Sequence, residues 1–359
     1  MYVKELQVRD FRNWSDEVVA LSDGLNIFEG RNAQGKTNLL EAVYLTCVGK
    51  SMRTPRDREL IRWEKDRAYV RTEVVKRGGG EKVEVVLDKS VGKCVSVNGL
   101  PLTRLGELMG VVLAVLFSPE EIKIVKESPS ERRRFADIAL SQLSKGYFYR
   151  LNRYNRTLAQ RNKLLKSGSP DRNVLDVWDM QLVEAGSGIV KSRRGFLDRL
   201  TPIAERVHAF LTDGKEKLSL SYEGAKGDTL DEIKENFASM LAKSREHDLR
   251  TGFTHVGPHK DDIAISADGV DMRTFGSQGQ QRTAALSLQL SLPELMSDFT
   301  GEKPVLLLDD VMSELDEVRR LRLVEFIAPY QTIVTCTDLQ ELASAKNVAR
   351  YRIEHGSLV

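Results

Sequence analysis

Short alternating or wholly apolar runs crowd the two ends of the chain, and long stretches of helical period fill its middle. Residues 2–8 alternate like a strand. A turn-rich 13–16 separates them from the apolar run Leu25-Asn26-Ile27-Phe28, which also has strand character. Behind it Leu39, Leu40, Ala42, Val43 and Leu45 recur at helical spacing as far as Val48, and 49–60 is polar and loop-like. Residues 68–76, 82–87 and 94–97 then form a meander punctuated by Gly78-Gly79-Gly80 and by Asn98-Gly99, a strong hairpin signal, so antiparallel sheet is expected. The apolar run 111–117 has the length of a buried strand, and Ser118-Pro119-Glu120 starts a helix behind it.

From 121 to about 250 the period is helical, broken by Ser167-Gly168-Ser169-Pro170 and by a strand-like 217–222. Residues 145–166 carry seven Lys or Arg and no acid. On a helix Tyr147, Leu151, Tyr154, Leu158 and Leu165 share one face, with Arg150, Arg153, Arg156, Lys163 and Lys166 available elsewhere on its surface. Such a face is either simply solvated or able to track a phosphate backbone with strong salt dependence. The Arg132-Arg133-Arg134 cluster after Ser128-Pro129-Ser130-Glu131 serves the same surface or caps the insert.

The α/β pattern returns near 251. Residues 261–267 and 270–275, joined through Asp268-Gly269, read as a hairpin leading into Gly276-Ser277-Gln278-Gly279-Gln280-Gln281 and an apolar helix. Pro304-Val305-Leu306-Leu307-Leu308 is a buried-strand pattern ending in Asp309-Asp310, followed by Ser313-Glu314-Leu315-Asp316, an amphipathic helix to 326 and a last strand, 331–337. The expected domain plan is an α/β domain in two parts, 1–120 and 251–359, with an inserted helical lobe, 121–250.

Bulk properties narrow the partners. The 359 residues carry 54 Lys plus Arg against 52 Asp plus Glu, a formal net charge of +2, so any nucleic-acid contact must come from local clustering. Cys47, Cys94 and Cys336 are scattered through runs that read as buried, which argues against a disulfide frame or zinc site. No apolar run reaches the roughly 18 residues of a membrane span, and the first residues lack a signal-peptide core, so a cytoplasmic protein without a membrane partner is expected.

The chemistry lies in three segments. Gly30-Arg31-Asn32-Ala33-Gln34-Gly35-Lys36-Thr37 is a G-x-x-x-x-G-K-T phosphate loop in the strand, loop, helix context that such a loop requires. Its glycines allow successive N–H groups to face one anion, Lys36 reaches the β- and γ-phosphates, and Thr37 offers its hydroxyl to Mg²⁺. Asp309, at the carboxyl end of an apolar strand, is placed to hold the same Mg²⁺, and Asp310 to act as general base or orienter of the attacking water. Ser277 and Gly279 open a helix whose N–H groups face an anion. His255 and His259, near Asp261 and Asp262, flank a Gly-Pro pair that keeps the two imidazoles off one helical turn, which disfavours a zinc site.

Phosphate loop, S-x-G-Q helix start, apolar strand with paired acids and Ser-x-Leu-Asp turn, in that order, resemble the ABC-type ATPases. The resemblance implies an α/β ABC-type head with a mixed sheet, an antiparallel β-subdomain and an inserted, mostly helical lobe. It makes Ser277, Gly279 and Gln280 a signature that contacts, in trans, the nucleotide held by a second subunit. Ser313 and Asp316 then belong to the D-loop at the dimer interface. Signature and phosphate loop stand about 240 residues apart, more than in a transporter cassette, while the insert is too short for the arms of SMC-type proteins.

The match narrows to the RecF family of bacterial gap-repair proteins through Phe11-Arg12-Asn13, Asn38-Leu39-Leu40-Glu41-Ala42, Phe117-Ser118-Pro119-Glu120, Arg132-Arg133-Arg134-Phe135, Gly257-Pro258-His259-Lys260-Asp261-Asp262 and Gly279-Gln280-Gln281. This likeness implies an ATP-dependent homodimer that binds double-stranded DNA and single/double-strand junctions. It also implies that RecO and RecR partners help such a protein place RecA, with slow ATP hydrolysis acting as a reset. Two departures from the wider ABC pattern stand out. Asp310 replaces the usual Glu after the first acid, and Thr335-Cys336-Thr337-Asp338 has no switch histidine, leaving Thr337 as the nearest polar substitute. An ABC cassette energising another complex, and a P-loop kinase or GTPase, are the alternatives. The latter leaves Ser277 to Gln281 and the Ser313 turn without a role.

Overall fold

The computed structural model describes residues 1–167, 171–337 and 348–359. In chain order the elements begin with β1 (Tyr2–Phe11), β2 (Trp14–Ala20), β3 (Leu25–Glu29), α1 (Lys36–Val48), β4 (Arg67–Lys76), β5 (Gly79–Asp88), β6 (Gly92–Val97), β7 (Leu100–Pro101) and β8 (Ala114–Phe117). Helices α2 (Lys123–Lys126), α3 (Pro129–Leu143), α4 (Lys145–Leu165) and α5 (Arg172–Thr212) follow, then β9 (Leu218–Glu223), α6 (Leu230–Thr251), β10 (Asp262–Ala267) and β11 (Val270–Asp271). The remainder comprises α7 (Gln278–Thr300), β12 (Val305–Asp309), α8 (Glu317–Ile327), β13 (Thr332–Cys336), β14 (Val348–Glu354) and β15 (Ser357–Leu358).

Contacts divide the chain into two compact units. Met1–Glu121 and Leu288–Val359 make the first, and Ile122–Ser287 the second. The first holds two six-stranded sheets. One has the order β15-β14-β3-β13-β12-β8, parallel from β14 to β8, and the other, β2-β1-β4-β5-β6-β7, is antiparallel. Val305, Leu306, Leu307 and Leu308 of β12 are fully buried, as a parallel strand covered on both faces must be. On β4, Ala68, Val70, Thr72 and Val74 alternate inward as one face of an antiparallel sheet.

Helix α1 touches strands of both sheets and is buried on nearly every side. This explains the near-continuous apolar residues after Thr37, where a one-sided helix would show a single stripe. The first turn is tighter than the sequence suggests, because β2 already starts at Trp14, which is wholly buried. The strand expected over 111–117 is confined to Ala114–Phe117, and Cys94, expected inside, is exposed on β6.

In the second unit the 41-residue α5 packs against α4 and α6, beside a three-stranded sheet of order β11-β10-β9. Residues 251–287, expected with the returning ATPase part, cluster with this helical unit. The cause is pairing invisible in the local pattern. β10 is zipped to β9 from Asp262–Glu223 to Ala267–Leu218, and Arg132, 4% exposed, holds Asp262 through two bonds of 2.7 and 2.8 Å. Arg133 donates to the Asp261 carbonyl. Two members of the arginine cluster are therefore tied into the fold, and Arg134 alone of the three is exposed.

Candidate nucleotide and DNA sites

The phosphate loop leaves β3 at Gly30 and enters α1 at Gly35, both with positive φ (156° and 111°). A Cβ on Gly30 would lie 2.5 Å from the Ile353 carbonyl oxygen, and one on Gly35 2.5 Å from Asn13 Nδ2, so only glycine allows the chain through. Asn13 and Trp14 hold the loop from outside. Asn13 Nδ2 donates to the Gln34 carbonyl (2.9 Å), Trp14 Nε1 to the Gly35 carbonyl (3.1 Å), and Asn38 Nδ2 to Asn13 Oδ1 (2.8 Å). Neighbouring Arg12 grips the buried Glu41 of α1 through bonds of 2.8 and 3.0 Å.

Lys36 is almost wholly buried, and its ammonium donates to the carbonyls of Gly30 (2.5 Å) and Arg31 (2.9 Å). Burial lowers its pKa, and the nearby Asp310, Cys336 and Asp309 oppose that shift. Thr37 Oγ1 donates to Asp309 Oδ1 at 2.7 Å, joining the helix start to the end of β12 across 272 residues of chain. This hydroxyl and carboxylate form a hard oxygen donor pair of the kind Mg²⁺ takes. No further cluster of three His, Cys, Asp or Glu side chains able to hold a metal occurs among the described residues, those around His255 and His259 included.

Thr335, on β13 beside Asp309, has no role in the sequence pattern yet organises both acids. Its hydroxyl donates to Asp309 Oδ1 (2.8 Å) and accepts from the Asp310 N–H (3.1 Å). Asp310 adopts the left-handed conformation, φ 54°, which Asp tolerates better than most residues. Thr337 is exposed and lines a cleft of about 540 Å³ with Gly30, Arg31, Gln34, Arg352 and His355. The C-terminal hairpin completes this cleft. His355 N–H donates to Gln34 Oε1 (2.6 Å) and Gly356 N–H to the Gln34 carbonyl (3.0 Å). Asp338 lies outside the described residues.

Ser277 and Gln280 form a reciprocal cap at the start of α7. Gln280 N–H donates to Ser277 Oγ (3.2 Å), and Ser277 N–H to Gln280 Oε1 (2.9 Å). Ser277, Gln278 and Gly279 are exposed, and a Cβ on Gly279 would meet nothing within 4 Å. In the turn after β12 Ser313 Oγ donates to the Asp310 carbonyl (2.8 Å), and Asp316 caps α8 by accepting from Arg319 N–H (2.9 Å).

On α4, Tyr147, Tyr154 and Leu165 are buried, while Arg150, Arg153, Arg156, Lys163 and Lys166 are exposed. Arg161 leaves the basic face. It is wholly buried and bonds Asp179 (2.5 Å), the equally buried Asp248 (2.7 Å) and Thr254 (2.8 Å). The basic surface is thus one charge poorer than the sequence count.

His259 is structural too. Its Nδ1 meets Tyr154 Oη at 2.6 Å and its Nε2 the Thr254 carbonyl at 3.0 Å. Burial, first among the causes, lowers its pKa to about 4, with Lys260 and Arg133 acting in the same direction and the Thr254 carbonyl and Asp248 against it. Between pH 6.5 and about 4 the unfolded chain binds a proton here that the fold refuses, so stability falls as pH drops through that window. The loss from this group is on the order of 3 kcal/mol by pH 4. Urea denaturation of the wild type and of His259→Gln from pH 7 to pH 4.5 tests this. An equal acid sensitivity in the two proteins would remove His259 as its source.

These parts have close counterparts. The family described as "RecF/RecN/SMC N terminal domain" matches residues 2–358. The "DNA replication and repair protein RecF" of Halothermothrix orenii is 45% identical, over 99% of this chain and 98% of its own. The solved structure titled "recombination mediator protein RecF-ATP in RecFOR pathway" superposes with a TM-score of 0.92 at 37% identity, over 100% of this chain and 97% of that one. An Smc head bound to the C-winged helix domain of ScpA shares the fold alone, with a TM-score of 0.59 at 15% identity over 100% of this chain and 96% of that one. A phosphate loop, paired acids and an exposed helix start at Ser277–Gly279 on this ATPase head, matched along the whole chain, make it a member of the RecF family of DNA replication and repair proteins.

Proposed function

We propose that this protein is an ATP-switched DNA-binding factor of recombinational repair. It dimerises head to tail on ATP, binds double-stranded and gap or junction DNA, and works with RecO and RecR type partners to load RecA in the cytoplasm. The observation that carries this reading is the Thr37–Asp309 bond at 2.7 Å, which joins phosphate loop and apolar acid-tipped strand into one half of a nucleotide site. The other half is the exposed Ser277–Gly279 helix start of a second copy. Among the described residues nothing lies within 4 Å of a Cβ placed on Gly279, which suits close approach by something outside the chain.

Thr37 and Asp309 would hold Mg²⁺, which would supply charge neutralisation at the phosphates. The chain's own groups do the rest. Lys36 exchanges the Gly30 and Arg31 carbonyls for phosphate oxygens, and the loop N–H groups face the anion. Thr37 and Asp309 supply oxygen ligands to the metal. Asp310, fixed through Thr335, orients the attacking water and accepts its proton. Its short side chain and the absence of a histidine at 337 suit slow turnover, and hydrolysis then removes the bridge between subunits. Because the dimer binds ATP better than the monomer, ATP drives association, and association doubles the basic surface offered to one duplex.

Light scattering with and without ATP, Mg²⁺ and duplex DNA tests the reading. A protein that stays monomeric with nucleotide demonstrably bound would sink it. The DNA-contacting role of α4 is tested by neutralising Arg153, Arg156 and Lys163 together. Affinity for duplex DNA should drop, and the slope of log K against log salt should flatten by about 3. An unchanged slope would return α4 to a merely solvated face.

A further inference from the structure

Among the described residues the most exposed large apolar side chain is Trp63, at 88%. It stands at the corner of the turn Arg62-Trp63-Glu64-Lys65, closed by Lys65 N–H to the Arg62 carbonyl (3.1 Å). Glu64 takes φ 63°, a conformation such turns normally assign to glycine or asparagine. The turn is rigidly mounted. Arg62 N–H donates to the Asp10 carbonyl (2.8 Å), Ile61 bridges Phe11, and Arg12 N–H donates to the Leu60 carbonyl (2.7 Å). An indole that packing does not require is thus held out in water by a backbone that no glycine has relaxed.

Its surroundings are cationic. Residues 50–67 hold seven Lys or Arg and four acids. Arg62 and Lys65 both lie 3.9 Å from Asp10, which they more than neutralise, while Asp66 is balanced by Lys89 (3.7 Å) and Asp57 by Lys93 (2.9 Å). Arg58 reaches the Lys89 carbonyl (3.1 Å), on the β5–β6 turn that packs beside Asp66. Glu64 and the half-exposed Glu59, which faces Arg56, are the remaining acids of the stretch. A protein partner would call for a contiguous apolar patch around the indole. One flat ring among guanidinium and ammonium groups is instead what a nucleobase with flanking phosphates recognises.

We infer that the Trp63 turn is a stacking platform for an unpaired base at a single/double-strand junction, with Arg62 and Lys65 on the adjoining phosphates. This rests on the DNA-binding reading above and deepens it by separating junction recognition from duplex binding. The mount also ties the platform to the nucleotide site. The Phe11–Trp14 segment that carries the turn is the one through which Arg12 grips α1 and Asn13 and Trp14 hold the phosphate loop.

The test is fluorescence anisotropy on the full-length protein with ATP and Mg²⁺, comparing a blunt duplex with the same duplex carrying a single-stranded overhang. Trp63→Ala should bind the overhang DNA about tenfold more weakly and the blunt duplex within about twofold of wild type, and Trp63→Phe should restore most of the loss. Replacing Arg62 and Lys65 together by Ala should lower the salt slope on overhang DNA by about 2. Equal effects of Trp63→Ala on the two DNAs, or no effect on either, would overturn the platform while leaving DNA binding intact. A wild type that binds neither DNA would overturn both readings. Loss of a protein partner by Trp63→Ala at unchanged DNA affinity would reassign the surface and overturn the inference as well.

Discussion

Replacing Lys36 by methionine is expected to abolish ATP binding and, with it, ATP-driven dimerisation. The ammonium donates to the Gly30 and Arg31 carbonyls, and the Lys36 side chain is almost wholly buried. Charge-assisted bonds to phosphate are worth roughly 1.5–3 kcal/mol each, so losing two costs on the order of 100-fold or more in affinity. Methionine keeps the aliphatic stem, and α1 stays buried between its sheets, so the protein should remain folded. Calorimetric titration with ATP reads the first effect and light scattering the second. A Lys36→Met protein that still dimerises on ATP would show that association is driven from somewhere other than this loop.

Ser277→Arg should separate the two events that Lys36→Met removes together. Ser277 is exposed and, among the described residues, bonds to its own helix start, so the substitution removes a cap worth about 1 kcal/mol and leaves the fold standing. The loop, Lys36 and Asp309 belong to the other compact unit of the chain. Binding of ATP by the monomer should therefore stay within about twofold of wild type, since differential affinity for the dimer is all that is lost. A bulky cation at the signature blocks the second subunit, so dimerisation, tight DNA binding and turnover fail together. If Ser277→Arg dimerises normally with ATP, the signature does not act in trans.

Much of this site was legible because its pieces are local. A phosphate loop is eight consecutive residues between a strand and a helix, and its glycines are required by backbone geometry that the motif itself encodes. The acid-tipped strand announces itself by five apolar residues before Asp309-Asp310, since a parallel strand covered on both faces admits nothing else. The meander and the hairpin at Asp268-Gly269 were marked by alternation and by turn residues.

What escaped the sequence is pairing between distant segments. Asn13 and Trp14 support the phosphate loop from a neighbouring hairpin, and Thr335 clamps both acids from the next strand, 25 and 26 residues along. A threonine in an apolar strand carries no signal of that role until its neighbour in the sheet is known. Arg161 stood among the seven cations of 145–166 and Arg132 in the 132–134 cluster, and their partners Asp248 and Asp262 draw both inside, since only burial distinguishes a paired charge from a solvated one. Trp63 carries no signal in the local pattern, and its exposure became visible only once β1 and β4 had fixed the turn between them. By itself, then, the sequence determined the strand, loop and helix pieces and marked the candidate ligand residues on them, since both follow from local period and backbone chemistry. The tertiary structure alone decided which charges are available, where residues 251–287 pack and which side chains hold the loop and acids in place, since each depends on contacts between residues far apart along the chain.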